Sequence, residues 1–92
     1  MIITLEEMKN YLRVDFTEDD ALIEALISSS EKLCMDVARI KDAEVFRSKE
    51  NAKLAVMYAV GYQYEHREEA DHNGMLLTLR ALLFGIREGD FF

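Results

Sequence analysis

Residues 54–62 read Leu-Ala-Val-Met-Tyr-Ala-Val-Gly-Tyr, and this stretch decides the fold. On a helical wheel at 100° per residue, Leu54 and Met57 lie on one side, whereas the alanines and valines occupy the other. The helix that the stretch predicts spans residues 48–69, with Ser48 as its cap, and is apolar nearly all the way round between Leu54 and Tyr62. Such a helix is either central to its own domain or shared between that domain and a neighbouring subunit.

Two helices are predicted ahead of this one. The first begins at Thr4, because Thr4 and Glu7 have the spacing of a capping box, in which hydroxyl and carboxylate satisfy each other's backbone amides. It ends near Leu12. The second begins at Thr17, which is followed by three carboxylates that favour the positive end of a helix dipole. Its apolar residues continue at helical spacing to about Ile40.

The other segments complete a four-helix layout. Residues 41–47 are a connector, which we expect Val45 and Phe46 to hold against the core. Residues 71–74 are a polar break with turn chemistry, and the apolar residues of a last helix follow it as far as Ile86. Because proline is absent and no linker is present, the sequence predicts a single all-α domain. It consists of a short first helix, two long helices and a C-terminal helix.

The charge balance bears on possible partners. The chain has 18 acidic and 11 basic residues, a net charge of −7 with His neutral. Duplex DNA is bound mainly through Lys and Arg that neutralise phosphates, so this acidic chain is a poor candidate for gripping DNA. Residues 1–31 hold eight acidic and two basic residues, whereas residues 32–49 are net basic. Without a signal peptide or an apolar run of ~20 residues, we expect a soluble intracellular protein with no membrane partner.

Side chains that could carry chemistry are few. The serines at 28–30 lie mid-helix without a glycine elbow, which favours a small-residue packing face. Cys34 lies on an apolar stripe and, as the single cysteine, is expected to be an inert buried thiol. Glu69 and His72 have the spacing of di-iron ligands, but no second copy exists, so we interpret them as a solvated helix end. We expect no enzyme, metal or cofactor, with a metal carrier built on this pair as one alternative.

Three stretches carry a family resemblance. Residues 4–15, Thr-Leu-Glu-Glu-Met-Lys-Asn-Tyr-Leu-Arg-Val-Asp, run on into an acidic pair at 19–20. Residues 64–68, Tyr-Glu-His-Arg-Glu, and residues 79–87, Leu-Arg-Ala-Leu-Leu-Phe-Gly-Ile-Arg, follow in order. In this order and spacing, the chain resembles the gp6-like head–tail connector, or possible DNA-packaging, proteins of tailed bacteriophages. The resemblance covers nearly all of residues 1–92, although the prolines often found near the last helix of relatives are missing here.

The resemblance implies a structural protein of the virion. It implies a homo-oligomeric ring of about a dozen copies at the head–tail junction, assembled in the cytoplasm of the bacterial host. The ring would dock below the portal protein, extend the DNA channel and offer a platform to a head-completion or tail protein. Double-stranded DNA would pass through without sequence-specific binding. The alternative is a small helical interaction or regulatory module that acts as a dimer.

The second and third predicted helices are expected to supply most of the subunit contacts. The third has more apolar circumference than a lone four-helix domain needs, and a head-to-tail interface would cover the excess. The candidate interface residues belong to this helix and its end: Val56, Val60, Tyr58, Tyr62, Tyr64, Arg67 and Glu68.

Overall fold

The computed structural model describes residues 2–66 and 71–83 of the chain. Within these residues the fold is all-helical and contains no strand. The helices are α1 (Leu5–Leu12), α2 (Asp20–Ala38), α3 (Ala43–Arg47), α4 (Ala52–Glu65) and α5 (His72–Leu83). The predicted all-α class is confirmed. The described chain has five helices where four were expected, because the short α3 forms inside the predicted connector.

α4 is the central helix and contacts α1, α2, α3 and α5. One side of α4 is fully buried, through Ala52, Ala55, Val56, Ala59 and Val60. The alanines on this side are small enough to let neighbouring helices approach closely. All the buried apolar side chains join into one cluster. The chain's own core therefore accounts for one side of the long apolar stretch in the sequence.

The predicted limits of α1 are confirmed. The Glu7 amide donates to the Thr4 hydroxyl at 3.1 Å, and the Thr4 amide donates to the Glu7 carboxylate at 3.0 Å. α1 ends at Leu12, and the next residue, Arg13, adopts the left-handed conformation with φ of 61°. Lys53 of α4 binds the Glu7 carboxylate at 2.6 Å. The Lys53 hydrogen bond, followed by the Thr4 amide, holds the pKa of Glu7 below its ordinary value.

α2 begins later than the sequence predicts. Thr17 was expected to cap it, but the helix begins at Asp20, and Asp19 precedes it without a side-chain capping bond. The residues before α2 form a turn of their own, in which the Asp20 amide donates to the Thr17 carbonyl at 3.2 Å. Asp20 is also bound by Lys9 of α1 at 2.7 Å. Only one of the three expected carboxylates therefore lies in the first turn of α2.

The connector between α2 and α4 contains the unexpected helix. Asp42 caps α3, because its carboxylate accepts hydrogen bonds from the Glu44 and Val45 amides at 2.9 and 3.4 Å. Ser48 was expected to open α4 but closes α3 instead, donating its hydroxyl to the Val45 carbonyl at 2.6 Å. Phe46 is buried as predicted, whereas Val45 is 37% exposed. A helix of five residues is too short to show helical periodicity in the sequence.

A charged pair joins α3 to α2. Arg47 donates two hydrogen bonds to the carboxylate of Glu31, at 2.6 and 3.0 Å. The Glu31 side chain is only 7% exposed, so this two-point contact offsets the loss of its hydration. The hydrogen bond to Glu31 raises the pKa of Arg47. The pair fixes α3 in place and, through it, the start of α4.

α5 begins earlier than the predicted break allows. Residues 72–74 were expected to be irregular but form its first turn. Asp71 is the reason, because its carboxylate accepts from the Gly74 amide and its carbonyl accepts from the Met75 amide, each at 3.0 Å. The third predicted helix was expected to continue to about Glu69, but α4 ends at Glu65, because His66 leaves the helical conformation with φ of −121°. The expected continuation of the last helix to Ile86 lies outside the described residues. None of the helices in the described ranges is long and apolar enough to cross a membrane.

Two leucines of α5 allow a matched test of this core. Leu79 is fully buried and Leu77 is 63% exposed. We expect Leu79→Ala to lower the free energy of unfolding by about 2–5 kcal/mol, because it leaves a cavity. Leu77→Ala should change it by less than about 0.5 kcal/mol. Urea unfolding followed by circular dichroism measures both, and equal losses would contradict the described orientation of α5.

Candidate functional site

α4 has a second apolar face, which is only partly covered. Met57 and Tyr58 follow Leu54 by three and four residues, and Tyr62 follows Tyr58 by four, so these side chains lie on one side of the helix. Leu54 is 51% exposed, and the other three are half-buried. α1 covers part of this face. The three half-buried residues also pack against the core, and the remainder of the face is apolar surface that the described residues leave uncovered.

A groove of about 390 Å³ lies between α1 and α4. Its lining residues are Tyr11, Tyr58, Gly61, Tyr62, Glu65 and His66. Gly61 forms the floor: a Cβ atom there would lie 3.2 Å from Cε2 of Tyr11. The absence of a side chain at position 61 lets the Tyr11 ring lie directly over α4. Tyr11 remains 51% exposed and forms one wall.

The other wall is a row of rings held in fixed positions. The rings of Tyr58 and Tyr62 are 6.1 Å apart and tilted by 34°. Tyr62 stacks on His66 with the ring centroids 4.3 Å apart. The hydroxyl of Tyr62 accepts a hydrogen bond of 3.0 Å from the Asp71 amide, and Nδ1 of His66 lies 3.0 Å from the Tyr62 carbonyl. Such preformed aromatic surfaces lose little side-chain entropy when a partner binds.

The predicted interface tyrosines lie in different surroundings. Tyr58 and Tyr62 line the groove. Tyr64 is half-buried and donates its hydroxyl to the Asp19 carboxylate at 2.6 Å, which ties the end of α4 to the start of α2. Arg67 and Glu68 lie outside the described residues.

Val56 and Val60 belong to the core rather than to a surface. Both are fully buried by the chain's own helices. The apolar stretch was expected either to be central to its own domain or to be shared with a neighbouring subunit. This side of α4 is central to its own domain. In this conformation neither valine has any exposed area with which to contact another subunit. The exposed apolar face is the one that carries Leu54, Met57 and Tyr58.

Four groove residues were not predicted as functional. Tyr11 belongs to the apolar pattern of α1, and that pattern does not distinguish a core residue from a groove wall. Gly61 is informative only when the aromatic ring above it is known. Glu65 and His66 stand beside the predicted Tyr64 in the sequence, and only the helical geometry assigns them to the groove.

Catalytic chemistry finds little support in the described residues. In residues 2–66 and 71–83, no group of three or more His, Cys, Asp or Glu side chains is placed to hold a metal ion. His72 lies in the first turn of α5, and its suggested partner Glu69 is outside the described residues. Ser30 is buried and accepts a hydrogen bond of 2.8 Å from Gln63, which is a packing role.

Comparison with known proteins decides the family. Residues 2–86 match the family model of the phage gp6-like head-tail connector protein. The chain belongs to this family. Phage head–tail connectors are structural, non-catalytic components of the virion that interact with other head or tail proteins. No curated protein and no solved structure matches the chain.

The reactivity of Cys34 tests whether the core of this connector protein is closed to solvent. Burial, with a smaller contribution from Glu31, raises the pKa of its thiol to about 12. We expect no reaction with a maleimide at pH 7–8 in the native protein, because both the thiolate and access are lacking. Labelling should become complete in denaturing urea, as mass spectrometry would measure. Rapid labelling of the native chain would show that α2 is not packed as described.

Proposed function

We propose that this chain is a one-domain structural subunit of a closed head–tail connector ring. In this proposal the ring docks below the portal, extends the DNA channel and presents a platform to the next head-completion or tail protein. The family match supports the connector role. The observation that carries the ring is the partly covered apolar face of α4, with its aromatic groove.

The chemistry of this face suits a contact between subunits. Aromatic side chains are enriched at protein interfaces, where they bury a large area at low conformational cost. A closed ring uses a head-to-tail contact, in which two different surfaces of each copy meet. Tyr58 and Tyr62 supply one of these surfaces in our proposal. Val56 and Val60 support it indirectly, because the core they form holds the tyrosines in position.

The charge of the chain suits a conduit for DNA rather than a DNA-binding site. The net charge is −7, and carboxylates such as Asp15, Glu18 and Glu24 are exposed. Phosphates gain affinity only where cations neutralise them. A channel built from such subunits would let double-stranded DNA slide without sequence-specific capture. The alternative of a regulatory dimer is not favoured, because the matching family consists of connectors.

The mass of the purified protein in solution tests the ring. We expect size exclusion with light scattering to give a discrete assembly of about a dozen subunits as the concentration rises. The mass should reach a plateau, because a closed ring has no free interface left. A tight dimer at every concentration would contradict the proposal and favour the dimeric interaction module.

A pair of charged substitutions tests the role of the α4 face. Tyr58→Asp places an unpaired charge in the groove and should lower the apparent association constant at least about tenfold, with the helical content unchanged. Val45→Asp is the control, because Val45 is also a partly exposed apolar residue but lies on α3. Equal weakening by both variants would contradict the assignment. Val60→Asp would be uninformative here, since a buried carboxylate unfolds the chain.

A further inference from the structure

Leu77 is an exposed leucine that does not pack against the buried core of the described residues. At 63% exposure it is more exposed than Tyr11, Phe16, Val45 and Leu54. It lies two residues from both Met75 and Leu79, so it points about 160° away from the buried side of α5. Leu77 therefore stands on the outer face of α5, away from the chain's own core.

The charged side chain that lies nearest to Leu77 along α5 is basic. α5 contains no carboxylate, and Arg80 follows Leu77 by one helical turn. Arg80 is exposed and forms no ion pair with any residue in the described ranges. Leucine and arginine thus form a short ridge on α5, one apolar and one cationic.

The groove on α4 has the complementary arrangement. Tyr11 covers Gly61, and at this level of α4 the aromatic part of the groove lies between the Tyr11 ring and the Tyr58–Tyr62 row. Glu65 lies one turn beyond Gly61, is exposed, and has no cationic partner among the described side chains. The spacing from Gly61 to Glu65 is about 6 Å along the helix, and that from Leu77 to Arg80 is about 4.5 Å. An arginine side chain is long enough to span the difference.

We propose that α5 of a second copy docks in the aromatic groove, with its Leu77 at the level of Gly61, between the Tyr11 ring and the Tyr58–Tyr62 row, and its Arg80 paired with Glu65. This inference rests on the proposed ring and names its two contact surfaces. The contact is head-to-tail, since groove and ridge are different surfaces of the same chain. The docked α5 runs in the same direction as α4, because Leu77 precedes Arg80 as Gly61 precedes Glu65.

Other exposed apolar residues fit the groove less well. Phe16 stands between Asp15 and Glu18, and Val45 directly follows Glu44. Either would bring a carboxylate towards Glu65, and like charges in a contact oppose binding. Tyr11 and Leu54 lie on the groove side themselves. Among the five large exposed apolar residues of the described chain, Leu77 is the one with a cation in the required position.

Cross-linking with a short bismaleimide tests the contact on the intact chain. The first sample mixes a His66→Cys chain with an Ala81→Cys chain, so that Glu65 and Arg80 themselves remain, and the second is the double variant. We expect mixed dimers from the first and a ladder of covalent multimers on a denaturing gel from the second, because each copy then has two linkable surfaces. Native Cys34 is buried and serves as a silent background. Adding Leu77→Asp to the double variant should reduce the ladder at least about tenfold.

Matched controls separate this contact from chance collisions. Glu24 is an exposed carboxylate on α2, outside the groove, so a Glu24→Cys/Ala81→Cys chain should give no ladder. Val45→Asp should leave the ladder of the His66→Cys/Ala81→Cys chain unchanged. Circular dichroism checks that each variant is folded.

The other outcomes overturn the proposal in distinguishable ways. Covalent dimers alone from the double variant would show a two-fold pair, which contradicts the head-to-tail contact. Rings seen by light scattering without a cross-link between positions 66 and 81 would exclude this interface and leave the proposed function standing. Absence of both rings and cross-links at millimolar chain concentration would count against both. A ladder unaffected by Leu77→Asp would exclude the apolar anchor.

Discussion

The constraint on which the structure depends is that α4 is apolar on two sides. One side is filled with alanine and valine, and the surrounding helices bury it completely. The other side carries larger residues, Leu54, Met57 and Tyr58, and is only partly covered. A helix of this kind must be central to a domain, because no other position hides so much apolar surface. It also leaves a surface that the helices of the described residues cover only in part.

The polar contacts of the fold hold the other helices around α4. Lys53 binds Glu7 and so places α1 along the exposed side of the helix. Tyr64 binds Asp19 and ties the opposite end of α4 to α2. Exposed ion pairs contribute little to stability, whereas their geometry fixes how one helix lies on another. The groove is a consequence of this placement, because α1 covers part of the α4 face and leaves the tyrosines beside it accessible.

The sequence predicts those features that local chemistry controls. The Thr4–Glu7 capping box and the end of α1 at Leu12 follow from side chains that act within one helical turn. The role of a residue is predicted poorly when either of two neighbouring helices could be capped or closed by it. Ser48 is a good cap in composition, but the structure uses it to close α3, which is too short to show periodicity.

The same distinction applies to the candidate site. A helical wheel identified both apolar sides of α4, but it carries no information on which side the other helices cover. The choice depends on packing against α2 and α5, which the pattern of α4 alone does not specify, and this packing places Val56 and Val60 in the core. Tyr58 and Tyr62 line the groove because they lie on the side that α1 only partly covers. Gly61 becomes meaningful only together with Tyr11, some fifty residues away in the sequence.

In the proposed assembly, the acidic character of the chain and its aromatic groove act together. A chain of this size buries only roughly 60–65% of its unfolded surface, so its stability as a single copy is limited. A net charge of −7 keeps separate copies apart and limits non-specific association through the exposed tyrosines. The proposed contact, which pairs a cation with Glu65 and buries an apolar anchor, would overcome this repulsion locally and in one orientation. Binding between folded copies would also stabilise each of them by mass action. On this proposal, subunits remain separate when dilute and gain stability where they are concentrated together.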